Sequence, residues 1–227
     1  MAGLRQERAL GLVMAGCVQF LGLTLLAMLL YPGGTMADPG TTGYSFFHNF
    51  FSDLGRTRTA SGEPNTFSMV LFMVAVTLVG AGLILFSWAN LQFFVAPRSA
   101  RILSWLGLAC GIVSGAGFIG VAFAPYDRGL AIHGWFVLLA FQAFLPAALA
   151  FMGAILLTNG YPRRYAWLYL AFALLLAAYV ILLRAGPSPR SDLGLVIQAA
   201  GQKVIVYTGI GAIFFQARGA RQLISRS

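Results

Sequence analysis

The chain has 227 residues, of which 59% are hydrophobic and 9% charged, with 19 Phe, a net charge of +9 and a mean hydropathy of +0.81. Soluble domains carry roughly 25% charged residues, so this composition excludes an ordinary water-soluble globule. The positive charge does not point to nucleic acid, because the arginines sit in short connections flanking apolar stretches, where they set topology and meet anionic lipid headgroups.

A membrane-crossing helix needs about 20 predominantly apolar residues, and six stretches supply them. The first, Ala9–Tyr31, ends in "LLYPGG", which lacks a small-x-small cleavage site, so it reads as a retained helix rather than a signal peptide. The outward connection that follows, Pro32–Thr66, opens on the Gly/Pro turn region "PGGTMADPGTTG". Within it, residues 44–54 show helical periodicity. Phe46, Phe47, Phe50, Phe51 and Leu54 fall on one face, and Ser45, His48, Asn49, Ser52 and Asp53 on the other. This pattern predicts an amphipathic helix lying along the outer interface and stopped by Gly55. The loop "RTRTASGEPNT", containing Asn65, leads to the second span, Phe67–Leu91.

After "FVAPRSAR" comes the third span, Ile102–Ala124, whose Gly107, Gly111 and Gly115 form a small-residue face suited to close helix packing. "FAPYDRGLAIHGW" then places Asp127 and His133 at the outer junction with the fourth span, Ala131–Thr158. "NGYPRRY" joins this to the fifth, Tyr165–Leu183, which ends near Arg184. "PSPRSDLG" precedes the sixth, Leu193–Phe215. Gln198 and Gln202 share a face of that span, and Lys203 adjoins them near mid-membrane, where a lysine is costly unless paired. Cys17 and Cys110 lie inside spans without zinc-ligand spacing and read as small core residues. Tyr31, Trp88, Trp135, Tyr165 and Trp167, near span ends, suit interfacial belts.

Charge asymmetry orients the chain. Arg5, Arg8, Arg98, Arg101, Arg163, Arg164, Arg218, Arg221 and Arg226 fall on one side with a single acid, Glu7. On the other side, Arg56, Arg58, Arg128, Arg184 and Arg190 are balanced by Asp38, Asp53, Glu63, Asp127 and Asp192. The expected architecture is therefore all-α, a single integral membrane domain over 1–227, with six spans and both termini cytoplasmic.

Both histidines and five of the six acids belong to the outward half. Polar groups that are costly in hydrocarbon are expected to converge in one cavity open to that side. Asp53, Asp127, His133 and Lys203 would line it, with His48, Asn49, Ser52, Asn65, Gln198 and Gln202 around them. His48 or His133 could serve as general base or metal ligand, partnered by Asp53 or Asp127. The plain alternatives are a passive interfacial anchor for 44–54 and a structural ion pair for Lys203.

At "HNFFSDLGRT…GEPN" and "FAPYDRGLAIHG" the chain resembles the six-helix prokaryotic membrane family catalogued as domain of unknown function 998. That resemblance implies a prokaryotic plasma membrane. It marks Ser52, Asp53, Leu54, Gly55, Asn65, Asp127 and His133, and implies no activity. A more distant resemblance is to the alkaline ceramidase and adiponectin receptor superfamily, which implies zinc-dependent lipid hydrolysis at a Ser, an Asp and three His. With two histidines in the chain, a three-histidine site is out of reach. Zinc accepts imidazole and carboxylate, which leaves a mixed site from His48, His133, Asp53 and Asp127.

No nucleotide-binding loop, nucleophile elbow or His-Glu-x-x-His motif occurs. Three functions compete. The first is a protein of membrane lipids whose outward polar pocket binds a lipid or small amphiphile. The second is a membrane hydrolase or transferase acting on lipids. The third is a proton-coupled carrier using Lys203 and the glutamines, weakened by the lack of an inverted repeat or broken helix.

Overall fold

Long apolar runs with few charges become helices that hold all their backbone hydrogen bonds internally, the solution hydrocarbon demands. A computed structural model describes residues 2–225 and contains six of them: α1 (Ala2–Leu29), α2 (Thr66–Leu91), α3 (Arg98–Phe123), α4 (Leu130–Leu157), α5 (Arg164–Ala185) and α6 (Asp192–Ile224). Each is long and apolar enough to cross a membrane, which makes the chain an integral multi-pass membrane protein. Arg226 of the basic tail lies outside the described residues.

Each helix packs against its neighbour in sequence, and α6 returns to α1, closing the bundle into a ring. The termini share one end, where Arg221 pairs with Glu7 at 3.1 Å. The glycine stripe of α3 serves two partners. A Cβ on Gly115 would come within 2.6 Å of the Gly80 carbonyl oxygen on α2, while one on Gly107 would meet the Phe151 ring of α4 at 2.9 Å. Polar side chains in the spans bond across seams to backbone oxygens: Gln6 to Ala89 (3.0 Å) and Gln19 to Ala75 (3.2 Å) join α1 to α2, and Ser114 to Ala140 (2.8 Å) joins α3 to α4. Trp88, Trp135 and Trp167 are exposed at the rim, as belts require, but Tyr31 and Tyr165 are buried against the bundle.

The expected single helix over 44–54 is not formed. Residues 46–48 make a turn, and a short 3₁₀ helix follows over Phe51–Gly55. The two faces separate accordingly: Phe46 and Phe47 are exposed, whereas Phe51, Ser52, Asp53, Leu54 and Gly55 are all buried. Apolar and polar residues of the second half go inward together. The segment is sunk into the mouth of the ring rather than laid upon it.

Candidate functional site: a polar lid over an apolar chamber

An irregular segment inside an apolar bundle exposes N–H and C=O groups that no water satisfies. The polar residues of the outward half answer that need. Asn49, 1% exposed, is the hub. Its Nδ2 donates to the Gly34 carbonyl (2.9 Å) and to Asp53 Oδ2 (3.2 Å), and its Oδ1 accepts from the Ser45 N–H (2.9 Å). Asp53 Oδ2 also accepts from the Phe50 N–H at 2.8 Å, and Oδ1 faces Arg56 Nη1 at 3.6 Å. Asn65 Nδ2 donates to the carbonyls of Leu54 (2.9 Å) and Arg56 (3.0 Å), and Ser68 Oγ to that of Leu54 (3.2 Å). Gly34, at φ +87°, holds a backbone position that L-residues rarely take; a Cβ there would also come within 2.5 Å of the Ser61 nitrogen.

Helix α6 supplies the floor of this network. Gln202 and Lys203 lie about 15 Å along its axis from its first residue, at 1.5 Å per residue, so the lid reaches well below the rim. Gln202 Oε1 accepts from the Phe51 N–H at 2.6 Å. Lys203 Nζ donates to the Asn49 carbonyl and, at 3.3 Å, to that of Ala199. The rings of Phe46, Tyr44 and Phe51 surround the ammonium at 5.1, 5.4 and 6.0 Å, a cation–π cage. Gln198 closes the neighbouring loop, donating to the carbonyls of Leu182 (3.1 Å) and Pro187 (3.2 Å).

The other candidates lie around the edge. Asp127 receives the Thr57 N–H (2.9 Å), the Thr57 hydroxyl (2.5 Å) and the Arg58 N–H (3.1 Å). His133 Nδ1 is 2.7 Å from the Ala124 carbonyl, and its ring stands edge-on to Tyr126, over which Arg56 lies at 5.4 Å. A chain of contacts thus runs from Asp53 through Arg56 and Tyr126 to His133. His48 is elsewhere: it meets Ser45 Oγ at 3.2 Å and Asp192, counted from the sequence only in the charge balance, at 3.4 Å. Asp127 bonds the 57–58 backbone rather than Lys203. Among the described residues no three His, Cys, Asp or Glu stand close enough to hold a metal ion, so His48, His133, Asp53 and Asp127 do not form the mixed zinc site.

The two lid carboxylates respond to their surroundings in opposite ways. Burial pushes Asp53 above the usual carboxylate value of 3.8, against the pull of Arg56 and of the Asn49 and Phe50 donors. Burial also opposes ionisation of Asp127, but the donors from Thr57 and Arg58 outweigh it and hold that group below 3.8.

Beneath the lid is a chamber of about 100 Å³ walled by all six helices. It is not the polar pocket the sequence suggested. Val13, Cys17, Phe20, Val76, Phe118, Phe141, Phe144, Phe172, Ile205 and Ile210 dominate its wall, and among the described residues no charged side chain reaches it. Of the candidate site residues named from the sequence, Ser52 and Gln202 alone line it, both at the lid. The Ser52 hydroxyl bonds to no other described residue. The chamber could not be read from the sequence, since its Phe and Val residues are indistinguishable there from lipid-facing ones.

Comparison of the chain with family models, with curated proteins and with solved structures returns no match.

Proposed function

We propose that this protein holds a lipid or small amphiphile in the chamber within the ring, with its apolar chain among the helices and its polar end toward Ser52 and Gln202. The observation that carries this reading is the division of labour at the site. Ligand pockets are mostly apolar with a few placed polar groups, and here, among the described residues, the polar lining side chains Ser52 and Gln202 both lie at one end. From Gln202 to Ile213 the wall runs about 16 Å along α6, at 1.5 Å per residue, which suits an extended hydrocarbon chain better than a compact solute.

A lipid hydrolase or transferase is the second reading, favoured by one observation: Ser52 lines the chamber and its hydroxyl bonds to no other described residue. A serine nucleophile needs a base within hydrogen-bond reach. Asp53 is engaged with Phe50 and Asn49, His133 with Ala124 and His48 with Asp192. Retention without chemistry is the simpler function. The carrier reading has less support, because Lys203 is held by two backbone carbonyls and its ring cage. We also propose cytoplasmic termini from the arginine asymmetry, and kinship with the domain of unknown function 998 family from the short motifs at Ser52–Gly55, Asp127 and His133.

Native mass spectrometry of the protein released from its membrane tests the proposal. The wild type is expected to carry a bound lipid that Ile210→Trp, which fills the chamber, does not. Equal lipid on both proteins, or none on the wild type, would overturn it.

A further inference from the structure

The chamber is closed toward water but not on all sides. The lid residues Phe51–Gly55 are buried and hydrogen-bonded, so a ligand approaching from the loops must break that network. The α1–α2 seam differs. Gln6 and Gln19 of α1 bond the backbone of Ala89 and Ala75 on α2, which fixes an antiparallel register and brings Gly16 opposite Leu78. On α2, Val76, Val79 and Leu83 face the chamber, while Leu78 and Gly82, one turn apart, lie toward α1 and also line it. Leu78 is nevertheless 47% exposed on the outer surface of the bundle. One side chain therefore borders both the chamber and the bilayer. At Gly82 an added Cβ would meet nothing within 4 Å, and at Gly16 its nearest neighbour would be the Leu78 oxygen at 4.0 Å. The two glycines leave the seam thin where it crosses the chamber.

The chamber's chemistry limits what can pass. Its polar end offers a hydroxyl, Ser52, and an amide, Gln202, and no charged group. The nearby ammonium of Lys203 is spent on the Asn49 and Ala199 carbonyls and does not line the wall. A carboxylate or phosphate drawn in there would be desolvated without a counter-charge, which costs several kcal/mol after relaxation.

Resting on the proposed chain-holding function, we infer that the chamber takes its occupant sideways from the bilayer, through the α1–α2 seam at Leu78 and Gly82, and that the occupant is a single-chain lipid with an uncharged hydrogen-bonding end, such as an alcohol or ester.

The test uses the full chain in phosphatidylcholine nanodiscs, with two photoreactive probes: a long-chain alcohol carrying a mid-chain diazirine, and the carboxylate of the same length. Peptide mapping reads labelling of the chamber walls over time. The alcohol is expected to label α1, α2 and α6 peptides facing the chamber, and the ionised carboxylate about tenfold less or weaker still. Gly82→Leu, which fills open space at the seam, should slow labelling by the alcohol several-fold. Leu78→Ala should speed it. Unchanged rates in both variants, with labelling intact, overturn the lateral route alone. Equal labelling by the carboxylate overturns the uncharged end alone. No chamber labelling of the wild type by either probe overturns the chain-holding reading and this inference with it.

Discussion

The two ends of the bundle spend their polar residues in opposite directions. At the arginine-rich end the charges point outward; Arg98, Arg101, Arg163 and Arg218 are exposed, and Glu7–Arg221 is a half-exposed ion pair. At the lid end Arg58, Glu63, Arg190 and Asp192 are exposed too, but a second polar set turns inward. Asn49, Asp53, Asn65 and Lys203 are 1–2% exposed, and each is bound to backbone atoms of an irregular segment or to a partner that is. Outward charges are placed to meet water and lipid headgroups. Inward polar groups replace the water that a sunken loop has lost. The same residue types therefore face the surface at one end and hold backbone at the other, and the polar lining of the chamber falls to Ser52 and to Gln202, which also accepts from the Phe51 N–H.

Polar groups at the two ends should therefore differ in what their loss costs. Asn49→Ala should have the largest effect, about 3 kcal/mol or more, because it orphans the Gly34 carbonyl, the Ser45 N–H and one donor to Asp53 together. Unfolding in detergent measures it, and a cost under about 1 kcal/mol would mean the hub is dispensable. Asp127→Ala should cost less, about 1–2 kcal/mol, since the Thr57 and Arg58 donors it releases lie near solvent. Arg221→Ala, at the opposite end, should cost under about 1 kcal/mol and should matter less at high salt. If it proves as damaging as Asn49→Ala, the contrast between the ends is broken.

Acidity separates the two lid carboxylates. Asp53 has its folded pKa raised above 3.8, so the folded lid holds the proton more tightly than the unfolded chain does. Its contribution is complete below pH 3.8 and is lost as pH climbs through the raised value. Asp127 is lowered, so its contribution is present above pH 3.8 and is lost as pH falls through the lowered value. Asp53→Asn should therefore flatten the stability profile above pH 3.8, and Asp127→Asn should flatten it below. Profiles measured on the two variants check the assignment; slopes exchanged between them would reverse it.

The spans were legible because apolar runs of such length have one use, and Gly107 and Gly115 announced close packing from their spacing alone. The 44–54 segment misled for a physical reason. Its period-3.6 pattern assumes that one face meets water, but Asp53 and Asn49 bond the segment's own backbone and Leu54 packs beside them, so both sets are buried. Lys203 was recognisable as a buried charge needing partners, though the groups in contact with it are the Asn49 and Ala199 carbonyls and three aromatic rings, with the Asp53 carboxylate near but not in contact. Nothing in the sequence could identify Asn49 as the hub, because its role depends on Gly34, fifteen residues away.

If a polar lid seals the apolar chamber from the aqueous loops, Cys17, which lines the chamber, is a native reporter of that seal. The direct measurement is thiol modification of Cys17 in a Cys110→Ser background, using neutral methyl methanethiosulfonate and its quaternary-ammonium analogue. The neutral reagent should modify Cys17 in the intact protein, and the charged one only after Asn49→Ala has loosened the lid. Modification of the intact protein by both reagents at equal rates would contradict the seal.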